Sequence, residues 1–460
     1  MQLPKIHIGQ KPTYTKLAED INFYNLFEKI EQEFKTCFLF ESLGEEGRLS
    51  RYSIIGFDPQ HIIRAKENIL YFDDKAFEVK NPYLALREIM PEKTISKNYA
   101  GGLIGYLSYE SLHYFEPSLH VKVHPLFDQF MFGVYTDGLI LDKITGELHY
   151  FYYDKNRIDA IRVILNSLDS GVARLPRMTK KVKVRFLRDT LTKKEHKKIV
   201  EEVKEQIRAG NTFQCEVGFK SEFAIQGDTL QIYKKLRNVN PSPYMYYLKF
   251  NDKKIIGASP ELMFQLRDGE MESQPLAGTI QRGKNETEDK ESARKLLSDP
   301  KEIAEHNMLV DLHRNDLGRV AEFGTVKVRN LKEIKRFSHV QHISSNIVGL
   351  IKPDEDMFSG LAVNFPMGTV SGTPKVETIK IIDNNEPEAR GPYGGAVGQF
   401  GFNGDCTFAL ALRSLFIFGE YGYTQTSSGI VYDSEAEKEY AEVERKLAAM
   451  KEALSVSSRT

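Results

Sequence analysis

Two pairs of glutamates are the first groups in this chain that could do chemistry. Glu302 and Glu305 are three positions apart, and so are Glu439 and Glu442. Side chains at that spacing share one face of a helix. Each pair lies at the margin of an apolar stripe, Leu309 and Leu312 for the first, and Tyr440, Val443, Leu447, Met450 and Leu454 for the second. Singly, each pair has an ordinary explanation: Glu302 closes a capping box and the others are solvated. Facing each other, the four carboxylates would hold an octahedral, oxygen-loving cation such as Mg2+, with positions left for a carboxylate ligand. Arg413 adds an anion-binding group. If residues 407–418 form one strand, Ala409, Ala411 and Arg413 share a face. The space above the two alanines suits either an anionic ligand or a buried salt bridge.

The elements that must position these groups follow from local signals. Asp299 suits an N-cap, Pro300 the first helical position and Gly318 a C-terminal cap, which frames an acidic helix over 299–318. The last helix is expected to start at Ser434, with Glu437 completing a capping box. Amphipathic spacing predicts helices at 155–169, 193–209 and 229–238. Strands are predicted at 37–42, 52–56, 69–72, 101–109, 212–219, 244–250, 255–261, 324–328, 337–349, 394–402 and 407–418. Two more should flank a turn at Thr145-Gly146 within 126–153. The strand at 337–349 puts His342 and Ser344 on one face with Val340. The polar run 281–294 reads as an exposed loop or a helix start. Gly368-Thr369-Val370-Ser371-Gly372-Thr373-Pro374-Lys375 reads as a turn feeding a helix to residue 382. Ser170-Gly171 and the basic stretch 177–185 mark a boundary, giving regions 1–185 and 186–460.

Composition narrows the function classes. The chain has 460 residues and a formal net charge of −1, so no electrostatic case exists for nucleic acid or an anionic membrane. No apolar run is long enough to span a bilayer. Cys37, Cys215 and Cys406 are few, odd in number and far apart, which suggests neither a disulfide framework nor a zinc site. A cytoplasmic protein is expected.

Several further motifs occur in a fixed order. They are Phe38-Leu39-Phe40-Glu41-Ser42, Asn240-Pro241-Ser242-Pro243-Tyr244-Met245, Ser259-Pro260-Glu261, Pro275-Leu276-Ala277-Gly278-Thr279, Glu305-His306-Asn307-Met308-Leu309-Val310-Asp311, Gly368-Thr369-Val370-Ser371-Gly372 and Gly391-Pro392-Tyr393-Gly394-Gly395. In order and spacing the chain resembles the anthranilate synthase component I family of chorismate-utilising enzymes. The resemblance covers nearly the whole chain and is dense from about residue 190 onward.

That resemblance implies an α+β fold of large packed antiparallel sheets with helices outside. It also implies a lyase that adds ammonia to C2 of chorismate, loses the C4 hydroxyl and eliminates pyruvate to give anthranilate. It assigns Mg2+ to Glu305 and Glu442, with Glu302 and Glu439 supporting through water. Chorismate would touch Gly278, Thr279, Tyr393, Arg413, Ser427, Ser428 and Gly429. Glu261 would protonate the departing hydroxyl, His342 would take the C2 proton or assist pyruvate loss, and Thr369 would position the substrate. Ser42, Pro243, Tyr244 and Met245 would form part of a feedback-inhibitory tryptophan pocket. A separate glutamine amidotransferase subunit would supply ammonia.

Two positions discriminate within the wider group. Relatives that add water resemble one another in carrying a lysine base where this chain has Gln214, and relatives that make aminodeoxychorismate tend to carry lysine where it has Ala277. Both point to ammonia attack at C2. The alternatives are an aminodeoxychorismate synthase component I and a catalytically silent, tryptophan-binding regulatory subunit. One departure stands out: Ser427-Ser428-Gly429 replaces the family's usual Gly-Ala-Gly.

Overall fold

A computed structural model describes residues 2–43, 51–169, 181–337 and 340–454. The expected turn residues 47–50, most of the expected boundary at 170–185, and Ser338 and His339 lie outside the described residues.

Two 12-stranded sheets form the centre, and every named strand pairing in them is antiparallel. Both sheets draw strands from both sides of residue 185. In the first sheet Thr36–Glu41 pairs with Tyr244–Phe250, and in the second Gly102–Leu107 pairs with Ala396–Gly401. The sheets pack face to face through aromatic side chains, among them Phe38, Tyr106, Tyr135, Tyr246, Phe250, Phe416 and Tyr423. Strand alternation explains how one segment serves two layers: Phe38 enters this inner core, while Cys37 and Leu39 point to the outer one.

Helices cover the outer faces. Phe23–Glu33, Ile158–Asp169 and Leu230–Val239 bury their apolar stripes on the first sheet. Lys193–Arg208 does so through Ile199, Val200 and Val203, and its N-terminus carries the full Thr192–Glu195 capping box. Glycines in the strand Gly102–Leu107 allow close approach, as expected of a glycine-rich strand. What approaches is backbone: a Cβ on Gly105 would collide with the Met131 carbonyl.

Several sequence expectations need correction. Residues 407–418 are two strands, Cys406–Leu410 in the second sheet and Ser414–Phe418 in the first. The chain crosses between sheets at Ala411, Leu412 and Arg413, and Arg413 takes a left-handed φ of 47°. No continuous face therefore carries Ala409, Ala411 and Arg413. The last helix, Ala436–Ala453, has no side-chain cap. Ser434 instead accepts from the Val431 N–H at 3.0 Å, and Glu437 pairs with Lys193 and Lys197. The polar run becomes a helix, Glu286–Ser298, capped by Asn285. Three strands, not two, occupy 126–153, the expected strand at 324–328 is Lys327–Arg336, and that at 212–219 runs on as Gln214–Gln226. The acidic helix is Pro300–Gly318, capped by Asp299 as expected, but Gly318 is its last helical residue and Arg319 its C-cap.

Candidate active site

The acidic helix lies against the strands Leu276–Gln281 and Val340–Leu350, and the C-terminal helix against the strand Tyr421–Ile430. Glu302 closes no capping box. Its carboxylate faces Gly278 instead, where a Cβ would stand 2.9 Å from Oε2. Gly278 has φ +67° and sits at a register shift between Ala277 and Thr279, so a bulge tips the loop toward the helix.

The two glutamate pairs share one electrostatic environment. Glu305 is pushed up to about 7 by burial and by the neighbouring charges of Glu216, Glu302 and Glu442. Glu302 is raised by burial, then by Asp299, and Glu439 by burial. Burial also pushes Glu442 upward, but Lys446, 2.8 Å away, offsets this and leaves it below its ordinary value. Lys446 offsets part of this charge, and like charges gathered in excess of their cations are unfavourable unless something more positive joins them. This donor set of hard oxygens suits a divalent cation. Among the described residues no three acidic, histidine or cysteine groups form a ready-made cage. That is compatible with Mg2+, which keeps waters and binds through one or two carboxylates together with its substrate.

Across the same region the second sheet presents His342. It pairs with Thr279 across the ladder, and its Nδ1 lies 2.9 Å from the Gly278 carbonyl and 3.1 Å from Thr279 Oγ1. A carbonyl can only accept, so Nδ1 carries the proton and Nε2 is the basic nitrogen. Arg413 Nη2 is 3.5 Å from that Nε2. Burial, with Arg413 next, holds the imidazole down at about 3, so it is neutral at ordinary pH. Arg413 is itself lowered to about 10 by burial, with Glu261 pulling it back up. Its left-handed backbone costs roughly 1–2 kcal/mol, a strain typical of a residue held where a site needs it.

Glu261 lies between the strands Lys253–Ser259 and Leu262–Arg267 and is buried. One oxygen accepts the Leu276 N–H at 3.3 Å. Burial raises its pKa to about 8, so it carries a proton at neutral pH. Thr369, in the 3-10 turn Gly368–Val370, is near enough to lower that value without making a well-formed hydrogen bond. Tyr393 is buried, and its hydroxyl meets Ser427 Oγ at 2.9 Å. Ser427 in turn donates to Glu216 Oε2 at 2.6 Å. Its backbone lies in an extended strand, so serine here needs none of glycine's freedom. Ser428 Oγ is buried without a formed hydrogen bond, beside Glu439. A Cβ on Gly429 would stand 2.6 Å from Gln214 Nε2 and 2.7 Å from Glu216 Oε1. Gln214 Nε2 reaches Glu305 Oε1 at 3.5 Å.

The profile of the family described as chorismate binding enzyme matches residues 35–452. The chain is 53% identical to anthranilate synthase component 1 of Leptospira biflexa, over 99% of this chain and 98% of that one. It is 39% identical to anthranilate synthase component 1 of Methanothermobacter thermautotrophicus, over 96% and 94%. This chain belongs to the chorismate-binding enzymes. Its likeness to the anthranilate synthase component 1 proteins makes it a lyase of that type. Among solved structures, anthranilate synthase component I from Streptococcus pneumoniae superposes with a TM-score of 0.78 at 30% identity, over 89% of this chain and 94% of that one. The menaquinone-specific isochorismate synthase of Escherichia coli shares the fold, with a TM-score of 0.74 at 17% identity.

In this chorismate-binding enzyme close contacts link Gly278, Thr279, His342 and Arg413 to one another, Gly278 to Glu302, and Tyr393 to Ser427. Ser42, Pro243, Tyr244 and Met245 gather elsewhere, where Thr36–Glu41 meets Tyr244–Phe250. Sequence reasoning missed Glu216, Lys446 and Arg390. Arg390 is buried, bonds Glu386 through two nitrogens at 2.7 and 2.8 Å, and holds the carbonyls of Glu216 and Val370 at 2.9 and 2.6 Å. The available signal for Glu216 was the alternation Gln214, Glu216, Lys220, Glu222. It resembles a solvent-facing stripe, yet all four are buried. No helix among the described residues is long and apolar enough to cross a membrane.

Proposed function

We propose that the protein is the large subunit of a cytoplasmic anthranilate synthase. It converts chorismate and ammonia to anthranilate and pyruvate in the first step of tryptophan biosynthesis. The observation that carries this reading is the contrast between two buried groups that share Arg413. Glu261 keeps its proton while His342 stays neutral, its basic Nε2 facing Arg413 Nη2 at 3.5 Å. A proton donor and a proton acceptor are thus separated by environment within one site, which is what losing a hydroxyl and then a ring proton requires.

Glu261 protonates the C4 hydroxyl as it leaves, with Thr369 positioning the substrate. His342 Nε2 then takes the C2 proton or assists pyruvate loss. Arg413 grips a carboxylate, Tyr393 lies against the substrate, and Gly278, Thr279, Ser427, Ser428 and Gly429 supply close backbone or hydroxyl contact. Glu305 and Glu442 would hold Mg2+, with Glu302 and Glu439 supporting through water. The ion neutralises the ring carboxylate when bound.

Residues 186–460 form the catalytic region, and 1–185 supplies part of the tryptophan site. Ser42 Oγ, Asn240 Nδ2 and Tyr244 Oη are buried there without a hydrogen-bond partner among the described residues, which suits a polar ligand that feedback-inhibits the enzyme. Ammonia comes from a glutamine amidotransferase subunit, since Cys37, Cys215 and Cys406 are all buried and their thiols are raised by burial. The test is the product formed from chorismate, Mg2+ and an ammonium salt. Fluorescent anthranilate with equimolar pyruvate is expected. An amino product that needs an added lyase to become aromatic would identify the folate-pathway reaction instead.

A further inference from the structure

We propose that Ser427 is a positioning residue: it fixes the Tyr393 hydroxyl as a hydrogen-bond acceptor toward the ligand, so that the site selects a substrate presenting a hydroxyl there. The inference rests on the reading that chorismate lies against Tyr393. Three buried side chains form a line, Tyr393, Ser427 and Glu216. Tyr393 Oη is 2.9 Å from Ser427 Oγ, and Ser427 Oγ is 2.6 Å from Glu216 Oε2. A carboxylate oxygen accepts, so the single hydroxyl proton of Ser427 goes to Glu216. Ser427 Oγ then offers Tyr393 only lone pairs, and two hydroxyl oxygens at hydrogen-bond distance need a proton between them. Tyr393 must supply it. The phenol proton is thereby committed, and the free side of Oη carries lone pairs alone. The other Glu216 oxygen, Oε1, faces Gly429 and takes no part in this order.

The line is held at both ends. The Tyr393 ring sits in the inner core with Val397, Ala411 and Tyr423, and the Arg390 guanidinium lies 5.5 Å from its centre. Ser427 is fixed by its register opposite Gly218, and its carbonyl accepts from Lys446 Nζ at 2.9 Å. With glycine at 427, as the family usually has, the phenol proton would be free to point at a ligand carboxylate. Serine reverses the polarity that the site presents.

At neutral pH chorismate carries two carboxylates, an enol ether and one hydroxyl, at C4. That hydroxyl is its one hydrogen-bond donor, so an acceptor at Tyr393 selects for it and repels a carboxylate. The proposed acid is close by. The Glu261 carbonyl accepts the Leu410 N–H at 3.1 Å, and Gly394 N–H donates to the Ala411 carbonyl at 3.2 Å, so Glu261 and Tyr393 flank the same crossover. The charge of Glu216 acts on both. As Glu261 protonates the C4 oxygen, the remaining O–H becomes a stronger donor. The bond to Tyr393 therefore strengthens as the C4–O bond breaks, which stabilises the transition state more than the ground state. Water leaves with the Glu261 proton, and Tyr393 neither gains nor loses one.

The experiment compares equilibrium binding of chorismate with that of its 4-deoxy-4-fluoro analogue, at saturating Mg2+ and without ammonium. Fluorine keeps the size of the hydroxyl and can only accept, so the ratio of the two dissociation constants reads the polarity at Tyr393. Wild type should prefer chorismate. Ser427→Ala frees the phenol proton and should lower that preference about fivefold, the worth of one hydrogen bond. Tyr393→Phe should lower it similarly, and the double variant no further than Tyr393→Phe alone. If Ser427 merely fills space, Ser427→Ala weakens both ligands equally; an unchanged ratio overturns the proposal. Should Ser427→Ala fail to fold by circular dichroism, Ser427→Gly replaces it, with the same expected and contrary results. Turnover of wild type with ammonium chloride is read separately. Absence of anthranilate there overturns the assigned reaction, whereas an unchanged binding ratio overturns the role of Ser427.

Discussion

Gly278 and Glu302 are in contact across two motifs that the sequence keeps well apart. A methyl group on the glycine would stand 2.9 Å from the carboxylate, on a backbone with φ +67°. Gly278→Ala should therefore cost roughly 1–2 kcal/mol of stability from the left-handed backbone alone. It should also push Glu302 aside and raise the Mg2+ concentration for half-activation. Thermal unfolding and a Mg2+ titration of turnover check the two effects separately.

In its proposed role as the acid, Glu261 sets the alkaline limit of turnover. Its pKa is raised to about 8, so the proton it must donate is present below that pH and lost above it. The kcat–pH profile should fall on the alkaline side with an apparent pKa near 8. Glu261→Gln should lower kcat by about 10²–10⁴-fold and remove that limb. A profile that stays flat through pH 9 would remove Glu261 from the role of acid.

The sequence made the strongest local patterns legible. Asp299 and Pro300 start the acidic helix, and Val443, Leu447 and Met450 form the buried stripe of the last one, because capping and periodicity are local. Site geometry was less legible where a decision depends on the other sheet. Residues 407–418 look like one strand because each half alternates properly. Only the crossover at Arg413, with its left-handed φ, divides them between sheets. Ser434 looked like a cap, but its hydroxyl is already taken by Val431. Glu216 was hidden because a polar alternation in a strand ordinarily faces water, whereas here the other side is the site. The contact of Glu302 with Gly278 joins distant segments, and no local pattern could have announced it.

The Arg390–Glu386 pair ties the walls of the site together. Arg390 holds the backbone carbonyls of Glu216 and Val370, and its guanidinium lies 4.7 Å above Tyr109 and 5.5 Å from Tyr393. Arg390→Met leaves Glu386 buried without its partner and should destabilise the fold by about 3–5 kcal/mol. Adding Glu386→Gln should restore part of that loss. Urea unfolding of the single and double variants measures both.

At the proposed inhibitor site, Ser42→Ala removes a buried hydroxyl that has no partner among the described residues. If tryptophan supplies that partner, its inhibition constant should rise about 5–10-fold, the equivalent of one hydrogen bond of about 1 kcal/mol. Turnover without tryptophan should be unchanged. Inhibition curves with and without the substitution decide this.

The central claim is that the acidic helix and the C-terminal helix build one metal site from Glu305 and Glu442. Its most direct test is Mg2+-dependent turnover of Glu305→Gln, measured beside its circular dichroism and melting temperature. The account predicts that turnover is abolished at every Mg2+ concentration while the fold is intact. Wild-type activity in a folded Glu305→Gln protein would contradict it.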